Sequence, residues 1–273
     1  MSINVNSNII SNTGFNTSGD ILNSPSVVTD GLVLWLDAGN IASYNNVTNY
    51  YDCGYGCQYY ASDPGCTNCN TQWKDMSGYG NDGTLGGNTV INYSNIGGSM
   101  YFDGVNDYVN IGINKSCNQL TADFTFSFWV YRESGGAAWG NMMGDYYTNA
   151  IATTNEWQIM MNVNGSFTLY KVGPGSIISG AASGFGLNTW MHITFSRIGS
   201  TITMYSNGAY VTTGSDSGTF GTSTGNLNIG VDGDNVSEDF NGKIAVVMIY
   251  KGKGLSTTEV LQNFNAGRQR FGI

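Results

Sequence analysis

The chain has 273 residues, 39 of them glycine and only 3 proline, and 11% of its residues are charged, against about 25% in an average soluble domain. Its net charge of −9 and the absence of a basic stripe exclude nucleic acid as a partner, because phosphate binding needs clustered Lys or Arg. No run approaches the ~18 apolar residues of a membrane span. Turns must be made by Gly and Asn, and solubility must rest on Asn, Ser, Thr and Gly, a surface style of extracellular and virion β-proteins.

Residues 1–30 have no basic n-region and no continuous apolar stretch, so no secretory signal is expected, and their Ser/Asn/Thr content predicts an extended arm. Residues 31–39, GLVLWLDAG, read as a buried strand with Leu32, Leu34 and Leu36 opposite Val33 and Trp35. A polar insert rich in Tyr and Cys spans about 41–71, followed by a turn-dense connector to residue 87. Two short strands, 100–102 and 108–111, flank the Asp/Asn/Gly corner FDGVNDYV. The stretch 124–131 alternates strictly, with Phe124, Phe126, Phe128 and Val130 on one face and Thr125, Ser127, Trp129 and Tyr131 on the other. A period of two means a strand with one face against a core.

Beyond it, Asn164-Gly165 and Asn207-Gly208 each separate two alternating runs, a strong hairpin signal that asks for positive φ at both central positions. Residues 226–230 and 242–250 are further strands, the second apolar on both faces and therefore central. Ser256-Thr257-Thr258-Glu259 is a capping box ahead of Val260, Leu261 and Phe264, so one short helix is expected at an edge or end of the sandwich. The organisation read from these elements is an arm at 1–30 and one all-β, two-sheet antiparallel sandwich over 31–273.

The segments GLVLWLDAGN, W-x-D-x-SGYGNDGTL, SMYFDGVNDYV, FTFSFWVY, NTWMHITFSR, ITMYSNG and FNGKIAVVMIY come in an order that resembles laminin-G-like, concanavalin A-like jelly rolls of the bacterial and phage branch, over roughly 31–265. The ending EVLQNFNAGRQRFGI is similar to those of tailed-phage structural proteins. The resemblance implies a jelly roll with one concave face, a fold whose members serve as glycan-binding modules, adhesion domains, glycosidases or capsid and tail decoration.

Glycosidase chemistry needs paired carboxylates facing one cleft. The four glutamates, Glu133, Glu156, Glu238 and Glu259, form no such pair, and Glu238-Asp239 would face opposite ways on a strand. The single histidine, His192, lies within a predicted strand and reads as a packed or surface strand residue. No catalytic residues are expected. Cys53, Cys57, Cys66 and Cys69, spaced C-x3-C-x8-C-x2-C, form a staple for a loop with little apolar content, either as one structural zinc site or as two disulfides. Cys117 is left as a free thiol. Asp82, Asp103 and Asp107 are calcium candidates among oxygen-bearing corners, beside the plainer reading that they shape turns by bonding their own backbone. Trp139, Asp145, Tyr146 and Tyr147, read as one aromatic loop, are the candidate glycan contacts, because ring faces stack on sugar C–H surfaces while carboxylates and amides bond hydroxyls. Two functions are expected from this reading. One is a non-enzymatic virion structural protein, a capsid decoration or tail-associated homo-oligomer holding other virion proteins through its arm. The other is a lectin-like adhesion module for host surface glycans, extracellular or at a cell surface.

Overall fold

The computed structural model describes residues 26–44, 71–94, 97–113, 115–134, 138–146, 155–181, 185–221, 226–233 and 238–273. In chain order the strands are β1 (Leu32–Asp37), β2 (Gln72–Trp73), β3 (Gly83–Gly86), β4 (Val90–Ser94), β5 (Gly97–Asp103), β6 (Tyr108–Gly112), β7 (Phe124–Arg132) and β8 (Trp139–Gly144). There follow β9 (Trp157–Asn162), β10 (Phe167–Lys171), β11 (Gly175–Ala181), β12 (Trp190–Ile198), β13 (Thr201–Ser206), β14 (Ala209–Ser215), β15 (Leu227–Ile229), β16 (Asn241–Lys251) and the helix α1 (Thr257–Phe271). The first sheet runs β14-β13-β12-β7-β16-β5-β4, with β1 also on β16; the second runs β11-β10-β9-β8-β15-β6-β3-β2. Every strand pairing among the described residues is antiparallel, so the expected all-β sandwich with one C-terminal helix is what the chain forms.

The Phe face of β7 lies between the sheets. Phe126 stacks on Trp157 of the facing sheet at 4.4 Å, and Phe124 meets Phe220 at 4.8 Å. The other face of β7 is not solvated, contrary to the one-sided pattern: Trp129 is 2% exposed in a second cluster with Val246, Met248, Tyr250, Val260, Phe264 and Phe271. That cluster is the contact between the first sheet and α1. Phe271 stacks on Trp129 at 4.0 Å, and Phe264 lies 5.9 Å from it. The helix therefore covers the outer face of the sheet rather than an edge or end, and it runs well past Phe264.

The capping box is present as read: Ser256 Oγ accepts from the Glu259 N–H, and the Glu259 carboxylate accepts from the Ser256 N–H. Gly272 ends the helix at φ 73°, where a left-handed residue frees the chain. Gly267 makes the contact possible, since a Cβ there would lie 2.7 Å from the Trp129 indole nitrogen. Arg270 locks the last turn to β1 and β5, donating to Asp37 Oδ1 at 2.7 Å and to the Gly98 carbonyl at 2.9 Å.

The end of the expected arm is tied down as well. The Val28 N–H donates to Asn263 Oδ1, Tyr250 donates its hydroxyl to the Val28 carbonyl, and Gln262 donates to the Ser26 carbonyl. Residues 26–28 thus lie along the helix, and residues 1–25 fall outside the described residues.

Two local readings are corrected. In the 207–208 hairpin both residues take positive φ, 50° and 78°. At Asn164-Gly165 only the glycine does, at 82°, because the connection is longer and Asn162 and Asn164 cap it with their own side chains. In β1 the register shifts between Leu32 and Leu34, which sends Leu32 to the helix side with Trp35 while Leu34 and Leu36 stay in the core.

His192 is fully buried between Trp129 and Phe264, its Nε2 2.8 Å from Ser127 Oγ, and burial pulls its pKa down to about 3. Of the two expectations, packed or surface, it is the packed one. The unfolded chain takes up this proton from about pH 6.5 downward and the folded chain does not until about 3. His192 therefore contributes stability present above that window and lost as the pH falls through it. Urea midpoints measured from pH 7 to 4 should fall less steeply for His192→Gln than for the parent. At neutral pH, Trp129→Ala should cost about 3–5 kcal/mol in the same assay, the range for deleting a buried large aromatic.

Candidate functional site

The second sheet has one face in the core and one turned outward. Register fixes which residues share the outward face, because directly opposed residues of a ladder point the same way. One row crosses the whole sheet: Ser176 opposite Tyr170, Tyr170 opposite Gln158, Gln158 opposite Gly144, Gly144 opposite Asn228, Asn228 opposite Asn110, Asn110 opposite Thr84, and Thr84 opposite Gln72. Each position is an amide, a hydroxyl or a glycine. A second row places Asn141, Met160 and Thr168 opposite one another.

The floor of this face is deep, with Asn141 and Asn228 at 0% exposure. Asn141 donates to Gln158 Oε1 at 3.2 Å, and Asn228 donates to the Asp232 carbonyl at 2.8 Å. Asn141 Oδ1 and Thr168 Oγ1 are buried with no hydrogen-bond partner among the described residues. A buried polar group left without a partner costs about 1–3 kcal/mol.

The expected aromatic loop is resolved into two ends of one strand. Residues 139–144 are β8, not loop, because Met142 and Met143 pack into the core. Trp139 opens the strand opposite Asn162, on the outward face, and is 38% exposed. Tyr146 lies past the other end, edge-on to Tyr170 at 5.6 Å. Seven residues of extended chain separate them by roughly 23 Å. Burial, then Tyr170 and the nearby carboxylates of Glu238, Glu156 and Asp232, raises the Tyr146 pKa and keeps its hydroxyl protonated. Asp145 is 1% exposed and accepts the Trp157 N–H at 3.0 Å. Tyr147 lies outside the described residues.

Gln158, Tyr170, Asn141, Thr168, Asn228 and Asn110 were not singled out from sequence. For most of them the signal is a polar or aromatic residue alternating with core residues, Gln158 in WQIMMN, Thr168 and Tyr170 in FTLYK, Asn228 in LNI and Asn110 in YVNIG, a pattern that Met160 interrupts.

The calcium candidates serve their own loops. Asp82 accepts from Lys74 at 2.7 Å and from the Asp75 N–H at 2.8 Å; burial raises its pKa, but these partners carry it below the ordinary value. Asp107 accepts the Asn88 and Asp103 N–H groups, and Asp103 accepts that of Val105. These bonds hold the turns around Asp82, Asp103 and Asp107, whereas a calcium site takes six to eight oxygens. No group of three or more His, Cys, Asp or Glu suited to a metal occurs among the described residues. Cys53, Cys57, Cys66 and Cys69 lie outside them. Cys117 is a buried free thiol whose pKa burial pushes up to about 12.

The fold and this outward face define a lectin-type β-sandwich. The chain belongs to the concanavalin A-like lectin/glucanases superfamily, whose laminin-G-type family model matches residues 90–261. No curated protein matches the chain significantly. Among solved structures, it is similar to a domain of an extracellular arabinanase from Geobacillus stearothermophilus in complex with arabinotriose, at 20% identity and TM-score 0.53, covering 70% of this chain and 91% of that one. It is also similar to a Trypanosoma rangeli sialidase mutant displaying trans-sialidase activity, at 13% identity and TM-score 0.58, over 89% of this chain and 34% of the sialidase. A botulinum neurotoxin serotype D binding domain matches at 16% identity and TM-score 0.56, over 87% of this chain and 52% of that one. The chain thus spans about a third of the sialidase and about half of the toxin domain. Identities this low show the fold alone.

Asp107 gives the corner beside β6 a measurable signature. Burial raises its pKa from 3.8 to about 6 despite its two backbone donors. The folded chain then holds an extra proton between those values, so this group's contribution to stability is full below pH 4 and lost as the pH rises through about 6. A carboxyl carbon titration by NMR should place the Asp107 midpoint near 6, and Asp107→Asn should remove that component of the stability profile; a midpoint near 4 contradicts it.

Proposed function

We propose that this chain is a non-catalytic glycan-binding module whose ligand lies on the outward face of the second sheet. The observation that carries the reading is the polar row crossing all eight strands, with two buried groups beside it, Asn141 Oδ1 and Thr168 Oγ1, that have no hydrogen-bond partner among the described residues. Trp139 at one end and the Tyr146–Tyr170 pair at the other supply ring faces, and the amides of Gln158, Asn110 and Asn228 supply donors and acceptors for hydroxyls. Membership of a lectin/glucanase superfamily and the arabinotriose held by the similar arabinanase domain support the ligand class.

The non-catalytic half of the reading is supported by the state of the glutamates. Glu133 is paired with Lys243, Glu259 caps α1 and pairs with Lys253, Glu156 is buried at 0% exposure, and Glu238 takes φ 60° outside any strand. None has a carboxylate neighbour two residues along a strand.

A particle-bound form is the second reading, in which the module decorates a virion as a homo-oligomer. The likeness of its ending to tailed-phage structural proteins favours it. The four clustered cysteines then act as a structural staple, by zinc or by two disulfides.

Binding is tested by a glycan array followed by calorimetry on the best neutral oligosaccharide. Tyr170→Ala should weaken binding about tenfold, equivalent to ~1.4 kcal/mol, with the thermal midpoint little changed. No binding to any glycan, or binding indifferent to Tyr170→Ala and Asn110→Ala together, contradicts the proposal. Co-sedimentation with virus particles tests the second reading separately.

A further inference from the structure

The outer face of the first sheet is only partly covered by α1. Beyond the helix end, register places Trp190 opposite Tyr131, Tyr131 opposite Lys243, and Lys243 opposite Tyr101, across β12, β7, β16 and β5. All four are half-buried, unlike Trp129 and His192 on the same face beneath the helix. The Tyr131 and Trp190 rings are 5.3 Å apart, and Trp190 is braced from behind by Phe271 at 4.8 Å. Lys243 is neutralised by Glu133 at 2.8 Å and lies 4.6 Å over the Tyr131 ring. Tyr131 and Tyr101 are two strands apart, about 10 Å.

We propose that Trp190, Tyr131 and Tyr101 form a second saccharide platform, on the face opposite the polar row, that takes an extended, neutral, unbranched oligosaccharide. The occupant follows from the chemistry of the row. Trp190, Tyr131 and Tyr101 bring three aromatic side chains to one row of a rigid sheet, with the Trp190 and Tyr131 rings inclined at 53° and one face of Tyr131 under Lys243; aromatic faces stack on the C–H faces of pyranoses. Their two-strand spacing matches one disaccharide of an extended β-linked chain, so that alternate sugars meet Tyr131 and Tyr101. Lys243 and Glu133 stand between the rings with their charges mutually cancelled. They can donate to and accept from hydroxyls, and they offer no net charge to an anionic sugar or an acidic peptide. The helix that buries the neighbouring part of the face ends at Gly272, and among the described residues it leaves the row half-buried where Phe271 meets Trp190. With the polar row on the other sheet, one chain would engage glycan on both sides and cross-link polymers without a second copy.

The test is an NMR and fluorescence titration of the full chain with cellohexaose and mannohexaose, with hexagalacturonate and a proline-rich peptide as controls. The expected result is a shift of the Trp190 indole resonance with a neutral hexaose and not with the controls. Tyr101→Ala should weaken that response about tenfold at an unchanged thermal midpoint. Tyr101 is the informative variant, because Trp190→Ala would also loosen Phe271. Tyr170→Ala, on the opposite face, should leave the Trp190 response intact, which separates this site from the first even if the first fails. An unmoved Trp190 signal with both hexaoses, an equal response to hexagalacturonate or the peptide, or a response unaffected by Tyr101→Ala overturns the proposal.

Discussion

The ladder between β7 and β16 is buried on both sides, and the rest of the molecule is arranged around that constraint. On one side Phe124, Phe126, Phe128, Ile244, Val247 and Ile249 fill the space between the sheets. On the other, Trp129, Val246, Met248 and Tyr250 would be left in water by a bare sandwich. Burying a large apolar side chain is worth about 1.5–3 kcal/mol, so four such residues require a cover. The C-terminal helix supplies it, and the devices that hold the helix follow from that need. The capping box starts it, Gly267 lets it close on the indole, Arg270 ties its last turn to β1 and β5, and Asn263 and Gln262 fasten residues 26–28 along it.

Asymmetry between the sheets is the consequence for function. One sheet spends most of its outer face on the helix. The other keeps its outer face for amides, hydroxyls and tyrosines set in register across every strand. A backbone ladder holds such a row with little freedom, and preorganised polar groups lose less on binding than groups on a free loop. In the corner FDGVNDYV, which stands out in the sequence, Asp107 accepts two backbone N–H groups and Asp103 one, and these bonds fix the turn that leads into β6.

Periodicity made the strands legible. The alternation of β7, the two-sided apolarity of β16, the hairpin at Asn207-Gly208 and the helix start at Ser256 are all visible as residue patterns, because each is dictated locally. The helix end was not, since the helical spacing read from the sequence stops at Phe264 while the helix continues through Gly267 to Phe271. Only the proximity of Trp129, distant in sequence, explains a glycine there. The same holds for the site. Trp139 and Tyr146 are seen from composition, but their separation depends on Met142 and Met143 being drawn into the core, and the row through Gln158, Asn228 and Asn110 exists only once strands far apart in the chain are paired. The bulge that splits Leu32 from Leu34 is likewise set by pairing with β16 rather than by β1 itself.

The side-chain amides of the outward face report directly on the central claim. Their NH2 resonances can be followed while a neutral oligosaccharide selected on an array is titrated into the full chain. Saturable shifts of the Asn141, Gln158, Asn228 and Asn110 amides, with the buried Asn263 amide under the helix unmoved, are the predicted result. Binding that leaves those four amides in place and moves signals elsewhere would contradict the account.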